Sequence, residues 1–368
     1  MRAAIGFFRR EVVLTVALAA AIASMFVCPP DAAYVGYIDW NTLSLLFSLM
    51  AVVALFQESG LISRVCRRLT SGAASARTLA RALSAACFFF AMLVTNDVSL
   101  IAFVPITLAA LHGADAKSVI RVLALETAAA NLGSMLTPIG NPQNVYLYAH
   151  YGMPFGQFMG AVWPYAFLSF VLIQLFCQIV PQTPMEAEKS SYLPPVSKKS
   201  AYLAGGLFAV CLLVVFKVLP AYAAMAVVLA ALLVFDRRAL GDVDYALLMT
   251  FACFFIFVGN LGRLESVRNA LTAFVAGRET EAGILLSQVI SNVPAALMLS
   301  GFTENARGLL VGVNLGGLGT LVASLASLIS FKLYMRSENA KGGAYLLAFT
   351  AVNVALLAAL YGLFRLIS

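Results

Sequence analysis

Charge and histidine are what this sequence has least of. Asp, Glu, Lys and Arg together make up 11% of its 368 residues, against 62% hydrophobic ones, and there are two histidines, His112 and His150. That balance excludes an ordinary soluble domain. A mean hydropathy of +0.92 fits a polytopic membrane protein instead. The six cysteines stand singly, mostly inside apolar runs, with no CxxC and no histidine at ligand spacing. Neither a disulfide framework nor a metal site is expected of them. HExxH, GxSxG and a Walker loop are absent, and no nucleophile–base pair is found. The chain is therefore read as no enzyme, needing no cofactor, and as unable to drive transport with ATP by itself. The net charge of +7 is scattered between apolar spans, which excludes a nucleic-acid partner.

What is there is a series of spans. About nine crossings are predicted, over 11–27, 41–56, 119–149, 156–180, 201–216, 221–235, 244–259, 308–334 and 343–366. The first follows Arg2, Arg9 and Arg10 and ends at Cys28-Pro29-Pro30 without a small-residue cleavage site, so it reads as a retained signal anchor. Amphipathic stretches at 61–79 and 264–275 interleave arginine with apolar residues and are expected to lie along the membrane surface. In residues 88–103, FFFAMLVTNDVSLIAF, the triplet Thr95-Asn96-Asp97 divides two apolar arms, 82–94 and 98–111. Each arm reaches about 20 Å, short of a hydrocarbon core of roughly 30 Å. A re-entrant hairpin over 82–111 is predicted, with a second over 282–302.

With the N-terminus inside and the C-terminus outside, eighteen basic residues fall on the inner side, including Arg64, Arg67, Arg68, Lys189, Lys198, Lys199 and Lys341. Six fall outside: Lys217, Arg263, Arg268, Arg278, Arg307 and Arg365. This is the positive-inside bias of a multi-pass protein of the cytoplasmic (inner) membrane.

The halves repeat. Around a polar cytoplasmic linker at 181–200, residues 1–180 and 201–368 carry the same series: IDWNTLSLLF against VDYALLMTFA, the tip Thr95-Asn96 against Ser291-Asn292, and Asn131-Leu132-Gly133-x-x-x-Thr137 against Asn314-Leu315-Gly316-x-x-x-Thr320. The fold class expected is all-α, a polytopic membrane protein of two inverted-topology repeats, each with a re-entrant hairpin and a broken helix, at 119–149 and 308–334. Such breaks mark secondary transporters, because backbone that leaves a helix inside lipid must line a cavity or be covered by protein.

Chemistry follows from the breaks. Helix N-termini at the tips offer N–H groups to an anion, and C-terminal carbonyls offer oxygen to a cation, without any basic side chain. Asn96 and Asn292 add amides, Thr95 and Ser291 hydroxyls. Gly133 and Gly316 permit close backbone approach. Pro138, Gly140 and Pro142 are expected to stop the first broken helix, with Asn141 and Asn144 at and past the break. Asp97 and Glu126 are acids at membrane depth and candidates for proton coupling. A transient Na⁺ would sit at Asn96, Asp97 and Asn292, and either Na⁺ or H⁺ would serve as coupling ion.

TNDVSLIAFVPI (95–106) with ANLGSMLTPIGNPQN (130–144), and SNVPAALML with GVNLGGLGTLVASLASLISFKLY, resemble the arsenite-permease-like branch of the ion transporter superfamily, together with its related sodium/proton antiporters. Within the branch the chain is most similar to small inner-membrane anion transporters. The resemblance implies a divalent anion symporter-like elevator fold, a homodimer, and secondary transport of a small inorganic anion or oxyanion such as arsenite. Na⁺/H⁺ antiport is the alternative. Carried over, the first site falls on Thr95, Asn96, Asp97, Gly133 and Asn141, and the second on Ser291, Asn292, Asn314 and Gly316. Thr137 and Thr320 close each motif. The related dicarboxylate symporters have Ser-Asn-Thr at both tips. Asp97 and Val293 stand at the third position here, which argues against a dicarboxylate substrate.

Overall fold

A computed structural model describes residues 11–71, 73–184, 195–338 and 340–367. Arg2, Arg9, Arg10, Lys189 and the middle of the linker lie outside the described residues. Among the described residues there are eighteen α-helices, which make up most of them. The first half holds α1 (Val12–Val27), α2 (Ala33–Tyr37), α3 (Trp40–Glu58), α4 (Leu61–Ser71), α5 (Ala76–Val94), α6 (Asn96–Ala110), α7 (Ala116–Ser134), α8 (Pro142–His150) and α9 (Phe155–Phe176). The second holds α10 (Lys198–Val215), α11 (Ala221–Phe235), α12 (Tyr245–Arg263), α13 (Glu265–Val275), α14 (Glu279–Ile290), α15 (Asn292–Ser300), α16 (Ala306–Leu315), α17 (Leu325–Tyr334) and α18 (Gly342–Ile367). Six helices among the described residues are long and apolar enough to cross a membrane.

Local chemistry explains the starts and stops. Asp39 and Asp244 cap α3 and α12 by accepting the N–H of Thr42 and Leu247. Asp115 and Asn305 cap α7 and α16 through Ser118 and Gly308. The same cap thus recurs at matched places in both halves. Asp115 takes both the hydroxyl and the N–H of Ser118, which hold its carboxyl below the usual carboxylate range.

The most telling match is at the tips. Thr95 joins α5 to α6 with φ 77° and ψ 154°, and Ser291 joins α14 to α15 with φ 76° and ψ 156°. A non-glycine residue held in this region costs roughly 1–3 kcal/mol and persists where its surroundings demand it. Ser291 also divides the second apolar stretch, so 282–302 is not one uninterrupted helix.

Several boundaries differ from expectation. The amphipathic stretch at 61–79 ends at Ser71, and α5 begins at Ala76, where Ser75 caps it. At 19 residues, α5 alone spans about 28 Å, so the short-arm argument fails for this arm. The second hairpin begins at Glu279 rather than 282. The first broken helix stops at Ser134, before the prolines, and Pro142 opens α8 as its first residue, where its missing N–H costs nothing.

α5 packs against α7, and α14 against α16, along backbones held close by glycine. A Cβ on Gly133 would strike the Phe88 carbonyl, and one on Gly312 the Thr280 backbone. α1 packs against α12, while α10 and α11 pack against α3. Gly133→Ala is expected to destabilise the protein by about 1–3 kcal/mol through overpacking. Gly205→Ala in α10, with nothing within 4 Å of its Cβ, gains about 0.5–1 kcal/mol of helix propensity. Thermal unfolding in detergent that ranks the two variants alike would refute this account of the α5–α7 contact.

Candidate functional site

The tips and the breaks meet. At the start of α6 the Asn96 backbone N–H donates to the Gly140 carbonyl (3.1 Å), and its side-chain Nδ2 donates to Asn131 Oδ1 (3.1 Å). Its own Oδ1 accepts the Asp97 N–H (3.0 Å). The tip is thus tied both to the loop that follows α7 and to α7 itself. Asn292, at the start of α15, is likewise buried, and the Ser291 hydroxyl lies 3.5 Å from both Asn292 Oδ1 and the Ala323 carbonyl.

The two motif asparagines exchange partners between halves. Asn131, in the first half, donates to Ser327 Oγ (2.9 Å) and accepts from Ser324 Oγ (3.0 Å), both in the second half. Asn314, in the second half, donates to Asn144 Oδ1 (2.7 Å) and accepts from Asn141 Nδ2 (3.1 Å), both in the first. The correspondence is positional. Asn141 and Ser324 each immediately precede the helix after a break, α8 or α17, and Asn144 and Ser327 each follow three residues later. Asn144 further donates to the carbonyls of Ser134, Met135 and Thr137, satisfying the C-terminal end of α7.

Two cavities adjoin this network. A small one of about 10 Å³ is lined by Asn96 and Asp97 from one tip, Asn292 and Val293 from the other, and Gln143 and Ser324 from the breaks. A larger one of about 170 Å³ lies beside Thr95, Asp97 and Asn141, with α3 residues such as Met50 and Gln57 opposite, and Asp242 and Asp244 at the rim. Among the described residues no lysine or arginine lines either cavity. Positive potential there comes from the N-terminal turns of α6, α8, α15 and α17, and negative charge from Asp97. The arrangement offers N–H donors to an anion and carboxylate, amide and hydroxyl oxygens to a cation.

Of the sequence-predicted residues, Thr95, Asn96, Asp97, Asn141 and Asn292 line one or both cavities. Ser291 and Asn314 are buried directly behind them. Gly133 and Gly316 turn instead to the hairpins' first arms: Gly133 meets the Phe88 carbonyl, and Gly316 meets Ser287 and the Gly283 carbonyl. Thr137 donates its hydroxyl to the Met92 carbonyl, and Thr320 donates its N–H to Gln288 Oε1 (2.9 Å). Both threonines fasten a break to an arm. Glu126 is fully buried in α7, where both its oxygens accept the Thr107 hydroxyl of α6 (3.1 and 2.9 Å). No cation pairs with it among the described residues.

Three residues escaped sequence reading. Ser324 and Ser327 stand ten and thirteen places past Asn314, as Asn141 and Asn144 stand past Asn131. Counting on from the repeat would have found them. Gln288 donates to the carbonyls of Gly316 and Leu318 (2.9 Å each) and so holds the second break. Its repeat partner is Met92, which hides it from any comparison of side chains.

The exchange makes a measurable prediction. Asn141→Ala and Asn314→Ala each strand buried polar groups and are expected to cost about 1–3 kcal/mol. Because they share one hydrogen bond, the double variant is expected to cost less than the sum by about 0.5 kcal/mol or more. Strict additivity in thermal unfolding would remove the cross-half bond from the account.

Comparison with known proteins fits this architecture. The family described as CitMHS, citrate transporter, matches residues 3–306. The inner membrane protein YbiR of Escherichia coli strain K12 is 31% identical over 303 residues, covering 80% of each chain. The uncharacterized transporter MJ0456 of Methanocaldococcus jannaschii is 30% identical over 320 residues, covering 84% of this chain and 85% of its own. The human P protein is 29% identical over 153 residues, 39% of this chain and 17% of its own. A helical chain with paired breaks, matched over most of its length by such proteins, belongs to the CitMHS family of the ion transporter superfamily and is a multi-pass membrane transporter, not an enzyme.

Proposed function

We propose that this protein is a secondary active transporter that moves a small inorganic anion or oxyanion, of the arsenite kind, across the cytoplasmic membrane, coupled to Na⁺, H⁺ or the membrane potential. The observation that carries the reading is the pair of matched tips, Thr95-Asn96 and Ser291-Asn292, with the same backbone angles and a shared cavity free of basic side chains. Two hairpins entering an inverted repeat from opposite sides would bring N-terminal dipoles to a midplane site. Movement of the hairpin-bearing helices against α1, α3 and α10 to α12, as an elevator within a homodimer, would then expose that site to each side in turn. The family description makes citrate a necessary member of any substrate panel.

A specific observation favours Na⁺/H⁺ antiport as a second reading. Asp97 lines a cavity together with Asp242 and Asp244, and Glu126 is buried without a cation. Carboxylates at such depth suit cation or proton exchange.

Proteoliposome flux separates the two. The anion reading expects saturable uptake of one of arsenite, sulfate or citrate, dependent on an imposed Na⁺ or proton gradient. Asn96→Ala and Asn292→Ala would each lower it roughly tenfold or more, since a hydrogen bond to a charged group contributes about 1.5–3 kcal/mol. Antiport expects pH-dependent Na⁺ flux with no anion present, lost in Asp97→Asn. Anion uptake unchanged in both asparagine variants would refute the site.

A further inference from the structure

A further cavity of about 300 Å³ lies away from the tips and breaks, at the end of the bundle where α14 and α16 begin and α18 finishes. Its polar groups separate cleanly once their hydrogen bonds are counted. Glu279 is buried, and its carboxylate takes the N–H of Gly277 (3.1 Å), the Thr303 hydroxyl (3.2 Å) and the Asn305 amide (3.1 Å). Glu281 takes the Tyr361 hydroxyl (2.9 Å), with Arg365 3.8 Å away. Thr280 donates to the Gly308 carbonyl (2.9 Å). Both Glu279 oxygens are therefore occupied, and Glu281 is engaged through Oε1. Two donors are not.

Tyr165 of α9 is 2% exposed and lines the cavity, yet its hydroxyl has no partner among the described residues. The side chain is buried while the hydroxyl itself opens into the cavity, where it can donate. Arg307, in the first turn of α16, lines the same cavity and has no ion pair among the described residues. The N-terminal turn of α16 adds its dipole in the same place. Phe364 and Ile367 complete an apolar wall on one side.

We propose that this cavity is a second anion site, in which Arg307 and the Tyr165 hydroxyl bind an oxyanion: a free one such as sulfate or phosphate, or the phosphate of an anionic lipid headgroup. The guanidinium supplies charge and paired N–H groups, and the hydroxyl fixes orientation. The site is separate from the tips and does not depend on the transport reading.

The test compares detergent-solubilised protein in sodium sulfate and in sodium chloride of equal ionic strength, and nanodiscs with and without phosphatidylglycerol, by thermal unfolding. Wild type is expected to gain stability from sulfate or from phosphatidylglycerol. Arg307→Gln would abolish the gain and Tyr165→Phe would at least halve it, since each change leaves the surrounding fold in place. Sulfate stabilisation lost in both variants assigns a free oxyanion. Stabilisation by phosphatidylglycerol alone, lost in both variants, assigns a headgroup. The double variant Asn96→Ala/Asn292→Ala is expected to keep the gain even where its uptake is lost. No stabilisation by either ligand, a gain retained in Arg307→Gln, or a gain lost in the tip variant would overturn the proposal.

Discussion

The structure depends on how it satisfies backbone that has left the helix. Four helices end or begin within the packed interior around the breaks, and each end frees N–H and C=O groups in apolar surroundings. The solution is a set of short amides and hydroxyls whose reach matches those ends. Asn144 alone covers three carbonyls at the end of α7. Gln288 covers two beyond α16. The tip of the first hairpin is closed by one bond from the Asn96 N–H to Gly140. Each group left unmade would cost about 1–3 kcal/mol, so the breaks stand only because these few side chains stand.

Much of this was legible in the sequence because it is written twice. The Thr95-Asn96 and Ser291-Asn292 tips were found by their matching positions, and the structure gives them the same unusual φ and ψ. The capping acids Asp39 and Asp244 sit inside the motif that aligned the halves. Where the copies diverge in residue type, reading failed. Met92 and Gln288 do the same job by different means, since the first break is fastened to a main-chain carbonyl by Thr137 and the second to a side-chain amide. Ser324 and Ser327 replace two asparagines with hydroxyls, and hydroxyls in an apolar run carry no distinguishing signal.

Helix length was misjudged for a different reason. Apolar content alone cannot say where α5 starts, because its first two turns hold Arg77 and Arg81 on a face that meets the end of α9. Arg77 donates to the Val180 carbonyl and, from α7, Arg121 donates to that of Ile179. Both arginines thereby neutralise the C-terminal end of α9 and its short 3₁₀ turn. The close backbone approach expected at Gly133 and Gly316 is made to the hairpin arms, where it brings α7 and the end of α16 against Phe88, Gly283 and Ser287.

The crossed pairing of Asn131 with Ser324 and Ser327, and of Asn314 with Asn141 and Asn144, makes the two breaks mechanically dependent. Each amide is also held within its own half, Asn131 by Asn96 and Asn314 by the Leu310 carbonyl, so the crossing adds a tie between segments 170 to 196 residues apart in sequence. Neither break can shift without unseating polar groups of the other.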